Sequence, residues 1–371
     1  AGPYHSRIIA HRPGTSFAEA RVKAAVLYKD QTHLRIEDVP IPDLKPGDVR
    51  VNIKCCGVCG SDIHMTIHKQ VRLRHYPTIL GHEASGVVTE VGAAVKKFKI
   101  GDRVVVCSGL GCGKCRQCLK GRHNLCPEIN VLGAEMNGAY AEQITIEERH
   151  LYHLPDQIPF DQGAILADAV STPYHALKFV GKIEPGEVVA VYGCGGLGIH
   201  AVTLARALGA SKVIALDVDE GALDNAGKYK ADEMIDLRRV RNSGKTLQEL
   251  TGGVDLMLDF SGHYSNFEDA MRAMNPGGRM VMAGIGKHPF KLTFPFMVIN
   301  KQISVLGSLG CDSRAIPELI DLYTSGRLDL STSITSHHPL EDVNQCLENL
   351  YYRKGNPIRF IITPNGKIGA Q

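Results

Sequence analysis

The feature that most restricts the fold of this chain is the apolar run Val188–Tyr192, followed at once by Gly193-Cys194-Gly195-Gly196-Leu197-Gly198. The run suits a strand, and a G-x-G-x-x-G pattern directly after it suits a tight turn into a helix. Gly193 permits the turn, Gly195 lets the backbone approach a pyrophosphate, and Gly198 lets helix and strand pack closely, with Gly196 and Leu197 completing the loop. The helix start then presents unpaired N–H groups and a positive dipole end to phosphate. Asp217 lies nineteen residues after Gly198, at the end of the next apolar run. A carboxylate there accepts hydrogen bonds from ribose hydroxyls and repels a 2′-phosphate. Val218 and Asp219 follow it without an Arg or Lys, so the local pattern predicts NAD rather than NADP.

The surrounding pattern agrees with a parallel sheet. Ser171–Val180 reads as a helix, Val188–Tyr192 as a strand, Leu197–Leu208 as a helix, Val213–Leu216 as a strand and Glu220–Tyr229 as a helix. Val254–Asp259, Arg279–Ala283 and Ile303–Gly307 read as further strands, with a helix at Asn266–Met274. Strands alternating with helices imply βαβ units. From about 22 to 150 the pattern is different: short β runs (Val22–Tyr28, Val49–Cys56, Ser85–Val91, Arg103–Cys107, Tyr140–Ile146) broken by Gly and Pro, as in a compact β module. Helices near Ala315–Ser325 and Glu341–Tyr351 and a strand Ile358–Ile362 close the chain. At 371 residues two domains are expected. Val188–Ala205 lacks charged residues, but its glycines and His200 fit strand-turn-helix better than a membrane span. A net charge of only +3 gives no reason to expect nucleic acid or an anionic membrane as partner. Residues 1–20 are polar and aperiodic, read as an extension outside the fold.

Four of the eleven cysteines fall within fifteen residues, as Cys112, Cys115, Cys118 and Cys126. The C-x2-C-x2-C-x7-C spacing suits tetrahedral Zn²⁺ in a closed structural site, although an iron–sulfur cluster also uses four thiolates. An odd cysteine total with this clustering is a metal pattern, not a secreted disulfide framework, and a reducing cytoplasm is the simplest location. Cys55, Cys56, Cys107, Cys194, Cys311 and Cys346 are expected to be small buried hydrophobes.

A second set is less specific by itself. Cys59 lies in Gly57-Val58-Cys59-Gly60-Ser61-Asp62, just after a β run, and His82 with Glu83 lies just before another. Ligands at neighbouring strand ends can share one ion. Gly57–His64, Gly81–Glu83, the four-cysteine lobe and the later glycine turn occur in the same order as in zinc-containing medium-chain alcohol dehydrogenases, and the chain resembles that family over about residues 21 to 370. The resemblance implies an α/β fold: a GroES-like β-rich catalytic domain (21–169 and 311–371) plus a Rossmann, doubly wound parallel-sheet domain (170–310), with the active site in the cleft. It implies two Zn²⁺ per chain, one structural and one catalytic, and NAD. Cys59 and His82 correspond to catalytic ligands. The third ligand in the family is a Cys or, in some secondary alcohol dehydrogenases, an Asp; the matching stretch Leu166–Thr172 has no Cys, so Asp168 is the candidate. Glu83 is a fourth or swinging ligand. Ser61 corresponds to the first hydroxyl of a proton relay that continues through the cofactor ribose to His64, whose ordinary pKa suits transfer to water. Asp62 is placed to orient His82.

The activity so implied is hydride transfer between a small alcohol, secondary or cyclic, and NAD, giving a ketone or aldehyde. Polyol, amino-alcohol and hydroxyacyl-CoA dehydrogenases of the family are the alternatives, and a non-catalytic dinucleotide-binding protein is the reading from a different class. Lys69, Arg72, Arg74 and His75 offer either an anion-attracting loop or an ordinary solvated basic one. The family pairs edge strands into homodimers or homotetramers, and Lys301–Leu309 reads as such an edge.

Overall fold

A computed structural model describes residues 20–286 and 289–366. The proposed extension lies outside these residues except for Ala20. Two large sheets organise the rest, beside a three-stranded and a two-stranded one. The first is parallel throughout and has six strands in the order Glu233–Asp236, Lys212–Asp217, Val188–Tyr192, Val254–Asp259, Met274–Met282 and Ser304–Gly307. The chain starts in the middle, winds to one edge, returns and winds to the other, so the carboxyl ends of Val188–Tyr192 and Val254–Asp259 meet at the point where the order reverses. These two strands are apolar because helices cover both faces: Val189, Ala190, Val191, Leu256, Met257 and Leu258 have no exposed surface. Burial of a Val or Leu of this kind stabilises by roughly 1.5–3 kcal/mol before chain entropy is counted.

The second sheet is predominantly antiparallel and has seven strands. Its centre is the long strand Asp48–Val58, which pairs with Glu83–Val91 on one side and with Phe360–Thr363 and Gln143–Glu147 on the other. The C-terminal strands Ser336–Pro339 and Phe360–Thr363 thus return to the N-terminal β module. The expected combination of a β-rich unit and a doubly wound parallel sheet is what the chain adopts. Leu154, Ile158, Ala164 to Ala167, Tyr174, Leu177 and Ile316 belong to one buried cluster with Val189, Val191 and Leu258. The helices Phe160–Leu166 and Ala315–Thr324 therefore cement the two sheets together.

Some elements differ from the sequence reading. The strand expected at Lys301–Leu309 is only Ser304–Gly307, because Pro295 opens a helix, Pro295–Lys301, that consumes its first residue. Lys301 Nζ donates to the carbonyls of Arg272 and Met274, and Gln302 turns the chain at φ 51. The helix expected over Asn266–Met274 is Phe267–Arg272, and Met274 already begins the next strand. Helix Ser171–Tyr174 continues to Val180 as a wider π-helical segment. Among the elements that had no prediction are strand Glu233–Asp236 and helix Ser243–Thr251, capped by the Asn242 side chain accepting from Lys245 N.

Candidate active site

Three separate segments supply the cluster. Cys59 ends the central antiparallel strand and caps the short helix Gly60–Thr66, its N–H donating to Asp62 Oδ2 at 3.1 Å. Asp62 is fully buried and held also by the Tyr140 hydroxyl, which donates to Oδ2 at 2.7 Å. Its other oxygen lies 3.6 Å from His82 Nδ1, so a buried carboxylate faces the back of the imidazole. Glu83 pairs across the sheet with Gly57, and a Cβ on Gly57 would fall 2.1 Å from Glu83 Oε2. The missing side chain at Gly57 is therefore the room in which the carboxylate sits.

Asp168 follows helix Phe160–Leu166, and its Oδ1 accepts from the Thr172 hydroxyl. Its Oδ2 lies 3.4 Å from Cys59 Sγ and 3.6 Å from His82 Nε2. One ligand atom each from Cys59, His82, Glu83 and Asp168 falls within 4.8 Å of all the others. The two measured separations match the edges of a zinc tetrahedron, about 3.3–3.8 Å for N, O and S ligands. Reading Asp168 as no more than a helix cap does not account for an oxygen aimed at both Cys59 and His82.

The electrostatics point the same way. Burial pushes the Cys59 thiol up, partly offset by Arg359. Burial raises Glu83 to about 7 despite Arg359 and His82. Burial alone would depress His82, but Asp62 and Asp168 outweigh it and raise it well above the usual histidine range. Burial opposes ionisation of Asp168 as well, yet His82, Thr172 and Arg359 hold it far below the usual carboxylate range. Both Glu83 oxygens and His82 Nδ1 have no hydrogen-bond partner among the described residues. Buried acids, a thiol and an imidazole that must share protons form a donor set suited to a divalent cation, which displaces those protons.

Arg359 has no counterpart in the sequence reading. It is 2% exposed, its Nε lies 3.4 Å from Glu83 Oε2, and its Nη1 donates to Val58 O at 2.9 Å. A Cβ on Gly196 would meet its Nη2 at 3.0 Å. One guanidinium thus spans from the acid cluster to the glycine turn. A cation at the head of the apolar run Phe360-Ile361-Ile362 was the only signal available.

Cys112, Cys115, Cys118 and Cys126 form a second group of the same kind. Cys115 Sγ and Cys126 Sγ are 3.8 Å apart, close to the edge of a Zn–S tetrahedron with bonds of about 2.3 Å. Backbone N–H groups of Cys112 and Glu128 donate to Cys126 Sγ at 3.2 and 3.3 Å. N–H donors from Lys114 and Cys115 help to lower Cys112 to about 7. Such donors favour thiolates, the form a metal needs.

The glycine turn sits at the reversal point of the parallel sheet. Gly193 has φ 82, and a Cβ on Gly198 would lie 1.8 Å from Gly193 O. A Cβ on Gly195 would meet nothing within 4 Å, so that face is open to a ligand. Asp217 stands beside the turn. Its Oδ2 accepts from Cys194 N at 2.6 Å and its Oδ1 from Asp219 N at 2.9 Å. The absence of a nearby cation, read from Val218 and Asp219 alone, does not survive folding: Arg353 comes within 3.8 Å of Asp217 and 3.6 Å of Asp219. Arg238 also lies within electrostatic reach of Asp219.

Ser61 Oγ lies 3.0 Å from His82 Nε2, at the edge of the cluster. His64 is on the same helix, Nδ1 2.6 Å from Gln70 Oε1, and burial lowers its pKa. No hydrogen bond joins Ser61 to His64.

Known proteins share this architecture. Residues 45–156 match the family of alcohol dehydrogenase GroES-like domains, and residues 196–325 match that of zinc-binding dehydrogenases. The probable D-xylulose reductase A of Aspergillus clavatus is 34% identical over 334 residues, 87% of this chain and 92% of its own. The sorbitol dehydrogenase of Bacillus subtilis is 30% identical over 352 residues, 93% of this chain and 98% of its own. The crystal structure of 2R,3R-butanediol dehydrogenase from Bacillus subtilis superposes with a TM-score of 0.85 at 26% identity, covering 93% of this chain and 100% of that one.

Proposed function

Because this chain belongs to the zinc-dependent medium-chain dehydrogenase family, it is an oxidoreductase, and we propose that it moves a hydride between a small polyol-like secondary alcohol and NAD. The observation that carries the reading is the meeting of Cys59, His82, Glu83 and Asp168, from three segments, within 4.8 Å. Cys59, His82 and Asp168 would hold a catalytic zinc, with Glu83 as a fourth or exchanging ligand. Cys112, Cys115, Cys118 and Cys126 would hold a structural one. A zinc ion at the first site supplies Lewis acidity, which lowers the pKa of an alcohol hydroxyl and favours hydride departure.

The protein's own groups do the rest. The Asp62 carboxylate, 3.6 Å from Nδ1, would orient the His82 ring through charge. Ser61, beside the His82 ring, and His64, half-buried and facing Gln70, would form the inner and outer ends of the proton relay, Ser61 accepting the hydroxyl proton as it releases its own and His64 delivering a proton to water; the two side chains are not joined directly. Gly193, Gly195, Gly196, Leu197 and Gly198 receive the pyrophosphate, and Asp217 the adenosine ribose. The Asp217 carboxylate beside the turn, which would repel a 2′-phosphate, favours NAD over NADP.

The choice of a polyol class follows the relatives, which are named for sorbitol, D-xylulose and butanediol. The division into a catalytic domain (21–169, 311–371) and a dinucleotide domain (170–310) follows the two sheets. No described helix is long and apolar enough to cross a membrane, and a cytoplasmic enzyme fits eleven cysteines that are all unpaired. Phe296, Ile299, Val305 and Leu309 are exposed along the last strand of the parallel sheet and its preceding helix. Covering that edge with a second copy, in a homodimer or homotetramer, accounts for it.

The test is a substrate panel read by absorbance of the reduced nicotinamide: sorbitol, xylitol, 2,3-butanediol and simple primary alcohols, each with NAD and NADP. The expected result is turnover of at least one vicinal polyol, with NAD preferred at least about tenfold. Turnover of primary monoalcohols alone, or of nothing, would contradict the proposal.

A further inference from the structure

After helix Gly60–Thr66 the chain turns through Lys69, at φ 50, and runs irregularly to Tyr76. This stretch and Lys29 enclose a concavity of about 580 Å³ lined by Lys29, Lys69, Gln70, Val71, Arg72, Leu73, Arg74, His75 and Tyr76. Four of these residues are permanent cations, a fifth is a histidine, and none is a carboxylate. Lys69 Nζ donates to Gln31 O at 2.5 Å and Arg74 Nη1 to Asn130 Oδ1 at 3.1 Å, both neutral acceptors. Among the described residues no ion pair involves Lys29, Lys69, Arg72 or Arg74, whereas many other Lys and Arg side chains in the protein are paired with acids. Like charges gathered around one hollow repel one another until an anion enters, and guanidinium forks match phosphate oxygens.

The hollow also borders the catalytic machinery. Gln70 N and Val71 N donate to His64 O at 2.9 and 3.4 Å, and the Gln70 side chain contacts His64 Nδ1. The stretch that lines the hollow is thereby joined to the helix Gly60–Thr66, which carries His64 and is capped by Cys59. A solvated basic loop explains the charge but not the concave, acid-free lining next to the relay histidine.

We propose that this concavity is an anion subsite that takes a phosphate group carried by the alcohol substrate, so that the enzyme prefers phosphorylated polyols to neutral ones. The inference deepens the dehydrogenase reading and rests on it for the substrate, though not for anion binding. Two measurements keep the two apart. Binding of inorganic phosphate to the holoenzyme, followed by ³¹P line broadening with and without saturating NAD, requires no turnover. Phosphate should bind in both cases and should be lost at least tenfold in affinity in the double variant Lys69→Gln/Arg72→Gln. Absence of binding, displacement by NAD (which would assign the anion to the cofactor's phosphates), or an unchanged double variant would overturn the proposal. In the second measurement kcat/KM is compared for sorbitol 6-phosphate and sorbitol. The phosphate ester should be favoured at least tenfold at low salt. The double variant should abolish that preference, with sorbitol turnover within twofold of the parent, and Arg72→Lys should restore part of it. Equal use of both substrates by an active parent enzyme would refute the subsite and leave the dehydrogenase assignment standing.

Discussion

Asp168 is where the account is most exposed at the level of single residues. Its oxygen faces both Cys59 Sγ and His82 Nε2, so Asp168→Ala should release the catalytic zinc while the four-cysteine zinc stays. Zinc per chain should fall from two to one and kcat/KM by at least about 100-fold; a variant with full metal and full rate would remove Asp168 from the ligand set. His64 makes a prediction in pH. Burial lowers its pKa below the ordinary value of about 6.5, and it must be unprotonated to accept a proton. Alcohol oxidation should therefore lose rate only on the acid side of that value. His64→Gln should flatten this limb, and an unaltered profile would exclude His64 from the relay. The four cysteines were legible because their spacing is local, whereas Cys59 and His82, far apart in sequence, were read as ligands through family likeness. Asp168 was legible only through family likeness, and Arg359 and Arg353 not at all. Their partners lie far away in sequence, at Glu83 for the one and at Asp217 and Asp219 for the other.

Among the elements, the strand-turn-helix around Gly193 is the most sharply specified. A methyl group on Gly198 would sit 1.8 Å from Gly193 O, so Gly198→Ala must push helix and strand apart. The expected cost is about 2–3 kcal/mol in stability, visible as a lowered Tm, with a raised KM for NAD from the displaced turn. Unchanged values of both would mean that the turn relaxes freely. Val188–Tyr192 and Val254–Asp259 were read with their exact ends because continuous apolar runs mark strands covered on both faces. Helix Ser243–Thr251 escaped notice because it buries only Ser243, Gly244 and Leu247, too few apolar positions for a visible period. The strand forecast over Lys301–Leu309 was too long because the preceding helix ends only at Lys301 and Gln302 turns the chain at φ 51 before the strand begins.

At the scale of the whole molecule, two buried histidines tie stability to pH. His200 is fully buried, with Nδ1 2.7 Å from Gly196 O and Nε2 3.0 Å from Ser333 Oγ, and burial, assisted by Arg359, lowers it to about 4. Burial likewise lowers His150 to about 4. Between about 6.5 and 4 the unfolded chain binds protons that the folded one refuses, so stability is whole above about 6.5 and falls as pH drops toward 4, by about 3 kcal/mol per histidine. Urea unfolding at pH 7.5 and 5 should show this loss, and His200→Gln should reduce it; equal pH dependence in the variant would refute the assignment. The broad plan of two sheets was legible, whereas the way helices Phe160–Leu166 and Ala315–Thr324 join them depends on contacts between distant segments that no local pattern reveals. The central claim, that the two ligand groups belong to one working zinc- and NAD-dependent dehydrogenase, is tested most directly by counting zinc and assaying NAD-dependent polyol oxidation on the same chelator-free preparation. The account predicts two zinc ions per chain and turnover that disappears when one of them is removed. One zinc per chain with no turnover, or full turnover without zinc at the Cys59 site, would contradict it.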